Sequence, residues 1–277
     1  NTSTFFFSGG EPHFEIQDHS LYKSDEVTIT TRMNSWNQLG MLAEAVSALR
    51  ISGIRDIHLY SPYVLGARQD RVCNVGEGFT IKVVANFINS LMFNSVTILD
   101  PHSDVTPALI DECIVVNNHS FVLKCLQEIF PKSNSVYPIL ISPDAGSNKK
   151  IKDLSVFLNK VSAIDVVKCD KSRDLKTGKL TGFEVYAKDL EGKDCVIVDD
   201  ICDGGGTFIG LAKELKDKNA GNIYLIVTHG IFSKFFRPFK GLFKGIYTTD
   251  SISSDYNSDD LRYDSSSQLI NLIPIKL

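Results

Sequence analysis

The chain has 277 residues, 43% hydrophobic and 22% charged, and a formal net charge of −4 built from 29 basic and 33 acidic side chains. That allows one large or two medium domains with a packed core and argues against a general nucleic-acid-binding surface. The apolar runs are too short to cross a bilayer, residues 5–7 (Phe-Phe-Phe) lack the flanks of a signal peptide, and the six cysteines form no C-x-x-C pair, which together lead us to expect a cytoplasmic protein with reduced thiols and no zinc site.

From the amino end, strand-like apolar runs alternate with helical periodicity. Residues 27–31 are predicted as a strand, and residues 39–49 as a helix with Leu42, Val46 and Leu49 on one face. Trp36 and the many phenylalanines are expected in the core. The strand at 54–60 feeds a loop in which Arg68 and Arg71 flank Gln69 and Asp70. Two guanidinium groups so spaced can clamp a triphosphate, beside two directional hydrogen-bonding side chains; a solvated charged loop is the plain alternative. A helix at 81–91 and a strand at 96–99 follow, the strand ending in Asp100-Pro-His102. The polar stretch 117–120 is the expected domain boundary. A helix at 121–129 stops at Pro131, and the strand at 139–142 runs into Pro-Asp144-Ala145-Gly146. Helices are expected near 146–159 and 207–218, strands at 161–167, 183–187, 195–198 and 223–228, a loop at 251–268 and a last edge strand at 269–275. Residues 168–179 are basic and read as a mobile lid that brings cations to phosphates, or as a solvated hairpin tip.

The most informative run is 196–207, Val-Ile-Val-Asp-Asp-Ile-Cys-Asp-Gly-Gly-Gly-Thr. A buried strand ends in the adjacent carboxylates Asp199 and Asp200. Asp203, Gly204, Gly205, Gly206 and Thr207 then lead into an amphipathic helix. Glycines let backbone N–H groups converge on phosphate oxygens, and the helix terminus adds partial positive charge. The carboxylates can accept hydrogen bonds from neighbouring sugar hydroxyls. No Gly-Lys-Ser/Thr follows, so this is not a P-loop, and the spacing of a dinucleotide fingerprint is absent. Cys202 reads as a small neutral spacer.

This run resembles the phosphoribosyl-pyrophosphate (PRPP) signature shared by phosphoribosyltransferases and PRPP synthetases. Residues 62–86, with Ala-Arg-Gln-Asp-Arg and then Thr-Ile-Lys-Val-Val-Ala-Asn, resemble ribose-phosphate pyrophosphokinases, the PRPP synthetases, and not ordinary transferases. Phe7-Ser-Gly-Gly-Glu11 is similar to that family's Phe-Ser-Asp-Gly-Glu loop, and Asp100-Pro-His102-Ser-Asp104 to its Asp-Leu-His-Ala-Glu strand end. Ser142-Pro-Asp144-Ala145-Gly146 resembles its Ser-Pro-Asp-x-Gly-Gly loop, Asp170-Lys171-Ser172-Arg173 its catalytic Asp-Lys-x-Arg, and the segment around His229 its Ala-Thr-His-Pro-Ile-Phe-Ser.

The resemblance implies an α/β protein of two tandem phosphoribosyltransferase-like domains, residues 1–118 and 119–277, each a mostly parallel sheet flanked by helices. It implies transfer of the pyrophosphoryl group of ATP to ribose 5-phosphate. Phe7, Glu11, Arg68, Gln69, Asp70, Arg71 and His102 are implied to bind ATP. Residues Asp199, Asp200 and 203–207 are implied to bind ribose 5-phosphate, and Asp144, Ala145 and Gly146 the pyrophosphate. Lys171 and Arg173 are the implied catalytic residues, with Mg²⁺ as cofactor through His102 and Asp144. His229 is expected to be structural or to support the site. A homodimer or higher homo-oligomer is expected, because the Phe7–Glu11 loop of the family reaches a neighbouring subunit. Departures are Gly9 for an acid, Ser147 for a second glycine, Gly204 for a threonine-like residue, and short ends, read as those of a compact or divergent member such as a viral genome could carry. A transferase consuming PRPP and a non-catalytic regulatory subunit are the rival readings.

Overall fold

A computed structural model describes residues 2–17, 26–131, 138–161, 163–173, 180–234, 236–253 and 269–275. The expected loop at 251–268 lies outside the described residues from 254 on, as do residues 174–179 of the basic segment. The chain divides into two compact units, Asn1–Asn117 and Asn118–Lys276.

In the first unit, strands β1 (Thr2–Phe6) and β2 (Pro12–Ile16) form an antiparallel hairpin. Strands β3 (Glu26–Thr30), β4 (Asp56–Ser61), β5 (Ser95–Leu99) and β6 (Cys113–Val116) form a parallel sheet in that order. Helices α1 (Trp36–Ile51), α2 (Thr80–Ser90) and α3 (Val105–Leu109) connect them. The Ser35 side chain caps α1 by accepting from the Gln38 N–H at 3.4 Å, and Gly53, at φ +93, turns the chain after its end. Leu42 and Val46 of α1, Ile81, Val84 and Ile88 of α2, and Ile57, Leu59, Val96 and Ile98 of the sheet share one core. Fully burying each such side chain is worth about 1.5–3 kcal/mol.

The second unit carries strands β7 (Ile139–Ser142), β8 (Val166–Arg173), β9 (Leu180–Val185), β10 (Cys195–Cys202), β11 (Ile223–Gly230), β12 (Gly245–Thr249) and β13 (Ile270–Ile273). Their order is β13-β12-β11-β10-β7-β8-β9, parallel throughout except for the β8–β9 pair. Helices α4 (His119–Ile129) and α5 (Asn148–Leu158) cover one face, packing on Leu140, Val196, Val198 and Ile226. Helix α6 (Gly206–Asp217) covers the other, setting Phe208, Leu211 and Leu215 on Ile141, Ile197, Leu225 and Val227. Alternate residues of β10 therefore serve opposite cores, as a doubly covered parallel strand requires.

The topology fixes where a ligand can sit. The chain runs β7, β8, β9 in one direction and then returns to lay β10 on the other side of β7. The carboxyl ends of β7 and β10 therefore flank a topological switch point, where connecting loops diverge and leave a crevice.

Several expectations need correction. Trp36 is 56% exposed, because the buried face of α1 starts at Leu39; Phe5, Phe6 and Phe7 are also exposed. The strand expected at 161–167 starts at Val166 and continues to Arg173, since residues 169–173 pair with β9 instead of forming an irregular loop. The strand expected at 195–198 extends to Cys202, and that at 183–187 is β9, Leu180–Val185. Hairpin β1–β2, helix α3 and strands β6 and β12 were not expected.

Candidate active site

The β7–α5 turn is knitted by its own side chains. Asp144 Oδ1 accepts from the Ser147 N–H at 3.0 Å, and Ser147 Oγ donates to the Asp144 carbonyl at 2.8 Å. Ser142 Oγ lies 2.8 Å from Ser147 Oγ. Ser147 has φ −80, so a serine stands there without strain, and its hydroxyl ties the turn together. Lys171 on β8 forms an ion pair with Asp144, their side chains 18% and 26% exposed. Burial pushes the Asp144 carboxyl up, but the Lys171 hydrogen bond and charge and the Ser147 and Gly146 N–H groups outweigh it, holding the group below the usual carboxylate range. Arg173 ends β8, with its side chain outside the described residues.

Beside this turn, β10 carries Asp199 and Asp200 near its carboxyl end. Asp200 is buried, and its N–H donates to Asp199 Oδ1 at 3.0 Å. The Asp199 carboxyl is pushed well above the carboxylate range, first by desolvation, then by the charges of Asp200 and Asp144. Three acids thus converge at the switch point with Lys171 among them. The chain then enters the glycine turn. Gly205 adopts φ +73, and a Cβ there would collide with the buried Phe239 ring, so both backbone and packing demand glycine. Gly206 starts α6, whose first N–H groups lack intrahelical partners and point into the turn. Thr207 lies in that first helical turn.

The segment after β11 lies over the same turn. The N–H groups of Ile231 and Phe232 donate to the Cys202 carbonyl at 2.8 and 3.2 Å. Ser233 Oγ donates to Asp203 Oδ1 at 2.5 Å, and a Cβ on Gly204 would meet Cδ and Cε of Lys234 at 3.4 Å. His229 is buried with Nδ1 2.8 Å from Ser251 Oγ, a contact that braces β11. Sequence reasoning gave Ser233, at the end of the His229 motif, no role and did not single out Lys234; the available signal was that they follow a parallel strand's carboxyl end.

The first unit holds a separate cluster. Asp70 is buried; burial raises its pKa, but a Ser103 hydrogen bond, the bond and charge of Arg71 and the charge of His102 overcome this and lower it. Arg71 Nε lies 3.2 Å from Asp70 Oδ1 with its guanidinium largely exposed. Arg68 and Gln69 are exposed beside it, and His102 is exposed after β5. Asp100 takes φ 40, rare for a residue with a side chain, and so turns the chain sharply into the His102 loop. Phe7 and Glu11 sit at the tip of the β1–β2 hairpin, where the Phe7 N–H donates to the Glu11 carbonyl at 2.9 Å.

Residues 181–237 match the phosphoribosyl synthetase-associated domain family. Over 234 residues the chain is 29% identical to a ribose-phosphate pyrophosphokinase of Haemophilus ducreyi, covering 84% of this chain and 72% of that protein. Over 228 residues it is 30% identical to the ribose-phosphate pyrophosphokinase of Vibrio cholerae, covering 82% and 70%. The chain belongs to the ribose-phosphate pyrophosphokinase family. The fold agrees: a phosphoribosylpyrophosphate synthetase from Mycobacterium smegmatis superposes with a TM-score of 0.81 at 17% identity, over 99% of this chain and 86% of that one. For a pyrophosphokinase the acid cluster at β7 and β10 is chemically apt, because hydroxyl-rich sugars and metal-bound phosphates both call for oxygen acceptors. Among the described residues no group of three or more His, Cys, Asp or Glu is arranged to hold a metal, and no helix is long and apolar enough to cross a membrane.

Proposed function

We propose that the chain is a ribose-phosphate diphosphokinase: it passes the β,γ-pyrophosphoryl group of ATP to the anomeric hydroxyl of ribose 5-phosphate, giving PRPP and AMP. The observation that carries this is the convergence, at the switch point of the second unit, of Asp199, Asp200 and the Lys171-paired Asp144 beside the glycine turn. The N–H groups of residues 203–207 hold the 5-phosphate, and Asp199 and Asp200 accept hydrogen bonds from ring hydroxyls. Asp144, Ala145 and Gly146 cradle the pyrophosphate portion.

The domains assigned to residues 1–118 and 119–277 divide the work between ATP and the sugar phosphate. Arg68, Gln69, Arg71 and His102 hold the ATP phosphates, Asp70 orients Arg71, and Phe7 and Glu11 contact the adenosine end of ATP bound to a neighbouring subunit in a homodimer or larger assembly. Lys171 and Arg173 neutralise charge on the transferred phosphates; such transfer needs position and charge compensation more than a covalent nucleophile.

Mg²⁺ fits the donor set. It commonly binds through one or two carboxylates plus substrate phosphates, and Asp144, Asp199 and Asp200 offer carboxylate oxygens beside the glycine turn. The Asp199 carboxyl, raised first by burial and then by the charges of Asp200 and Asp144, would be relieved by a cation nearby. We assign His102 to one such ion and Asp144 to a second; each would supply charge neutralisation to substrate phosphates. The buried or half-buried free thiols suit a cytoplasmic setting.

The test is to mix purified protein with Mg²⁺, ATP and ribose 5-phosphate and assay both nucleotide and sugar products. Equimolar AMP and PRPP support the reading. ADP would indicate ordinary kinase chemistry, and no product would favour a regulatory subunit.

A further inference from the structure

Resting on that reading, we infer that Lys234 is part of the 5-phosphate site and supplies the cation that the glycine-only turn lacks. The turn Asp203-Gly204-Gly205-Gly206 offers backbone N–H groups but no hydroxyl or positive charge of its own until Thr207. Lys234 fills that place from another strand end.

Three contacts fix it there. Two N–H groups of the post-β11 segment bind the Cys202 carbonyl, Ser233 binds Asp203, and the Lys234 stem rests on Gly204 with Cε 3.4 Å from where a Cβ would be. Between them Phe232 takes φ 48, an unusual conformation for a bulky residue, with its ring in the core. That bend turns the chain back so that residues 233 and 234 run along the glycine turn.

The consequences are chemical. The ammonium lies one bond beyond Cε, at the end of a stem that runs in van der Waals range of Gly204. The lysine is exposed, so its charge is not committed to the core. A flexible ammonium is a common phosphate partner and acts as a point charge. Ser233 serves a different end: by donating to Asp203 it occupies one oxygen of that carboxylate.

Isothermal titration of ribose 5-phosphate into wild type, K234M and K234R, at low and high salt, tests the assignment, together with KM for ATP. Losing one charge-assisted hydrogen bond is expected to weaken ribose 5-phosphate about tenfold in K234M. K234R is expected to retain most of the affinity, K234M to flatten the salt dependence, and KM for ATP to stay within about twofold. Inorganic phosphate is expected to compete with the sugar phosphate in wild type and more weakly in K234M, whereas unphosphorylated ribose is expected to bind both proteins alike. Unchanged ribose 5-phosphate affinity in K234M overturns the inference. So does an equal loss toward ATP, which would report general damage. Should the wild type make no PRPP, the functional reading falls on that ground alone, while the titration still shows whether Lys234 meets the sugar's phosphate.

Discussion

Gly205→Ala should be among the most damaging single-methyl changes in the second unit, and Gly206→Ala, one residue on, nearly harmless. Gly205 has φ +73, and a left-handed backbone costs a residue with a Cβ about 1–2 kcal/mol. The added carbon would also strike the Phe239 ring, which is fully buried against Phe232 and Phe243 and has little room to retreat. Overpacking of that kind costs about 1–3 kcal/mol. Together the loss is roughly 2–5 kcal/mol, a melting-point drop on the order of 5–15 °C for a unit of this size. At Gly206 nothing lies within 4 Å of the added carbon and φ is unremarkable, so the change should stay within about 0.5 kcal/mol. Thermal denaturation of both variants without ligand is the assay. Because the turn is also the proposed phosphate cradle, Gly205→Ala should weaken ribose 5-phosphate binding as well. Equal melting points for the two variants would refute the reasoning from conformation and packing.

Other consequences are open to direct measurement. Lys171→Ala should reduce kcat on the order of 10²–10³ while changing ribose 5-phosphate affinity much less; equal losses in both would count against its role on the transferred phosphates. The folded pKa of Asp199 lies above its ordinary 3.8, so the native state keeps a proton that the unfolded chain has lost, and the resulting penalty grows as pH rises through the folded value. Asp199→Asn, melted in the presence of a chelator, should therefore gain on wild type as pH rises from about 4, and a pH-independent gap would contradict this. Adding Mg²⁺ to the wild-type protein should raise its melting point, and chelation reverse it, with a smaller effect in Asp144→Asn; an equal effect in both proteins would remove Asp144 from the ligand set. In a native thiol titration Cys73, which is exposed, should react fast, whereas Cys169 and Cys195, buried with thiols pushed up to about 12, should react only on unfolding.

Much of the site was legible because its chemistry sits at strand ends, where polar residues interrupt apolar runs. Asp199-Asp200 lie near the carboxyl end of a buried strand, Asp144 and Arg68–Arg71 follow one, and within each sheet parallel strands put such residues at one edge. The missed elements had weaker patterns. Strand β6 is a short edge strand with Val115 and Val116 exposed, entered by a turn with Glu112 at φ 51. Strand β12 is buried along its length, yet Tyr247, Thr248 and Thr249 make it look polar. Residues 168–173 look like a loop by charge, but pairing of Lys168 with β7 and of residues 169–173 with β9 makes them a ladder. The contacts of Ser233 and Lys234 with residues 203–204 were invisible because they are tertiary: only the bend at Phe232 brings the two back over the glycine turn.

The most direct test of the site is a crystal structure with ribose 5-phosphate and a non-hydrolysable ATP analogue bound. The sugar's phosphate oxygens should lie within hydrogen-bonding distance of the N–H groups of residues 204–207, with ring hydroxyls on Asp199 and Asp200. A sugar phosphate anchored anywhere else would contradict the assignment.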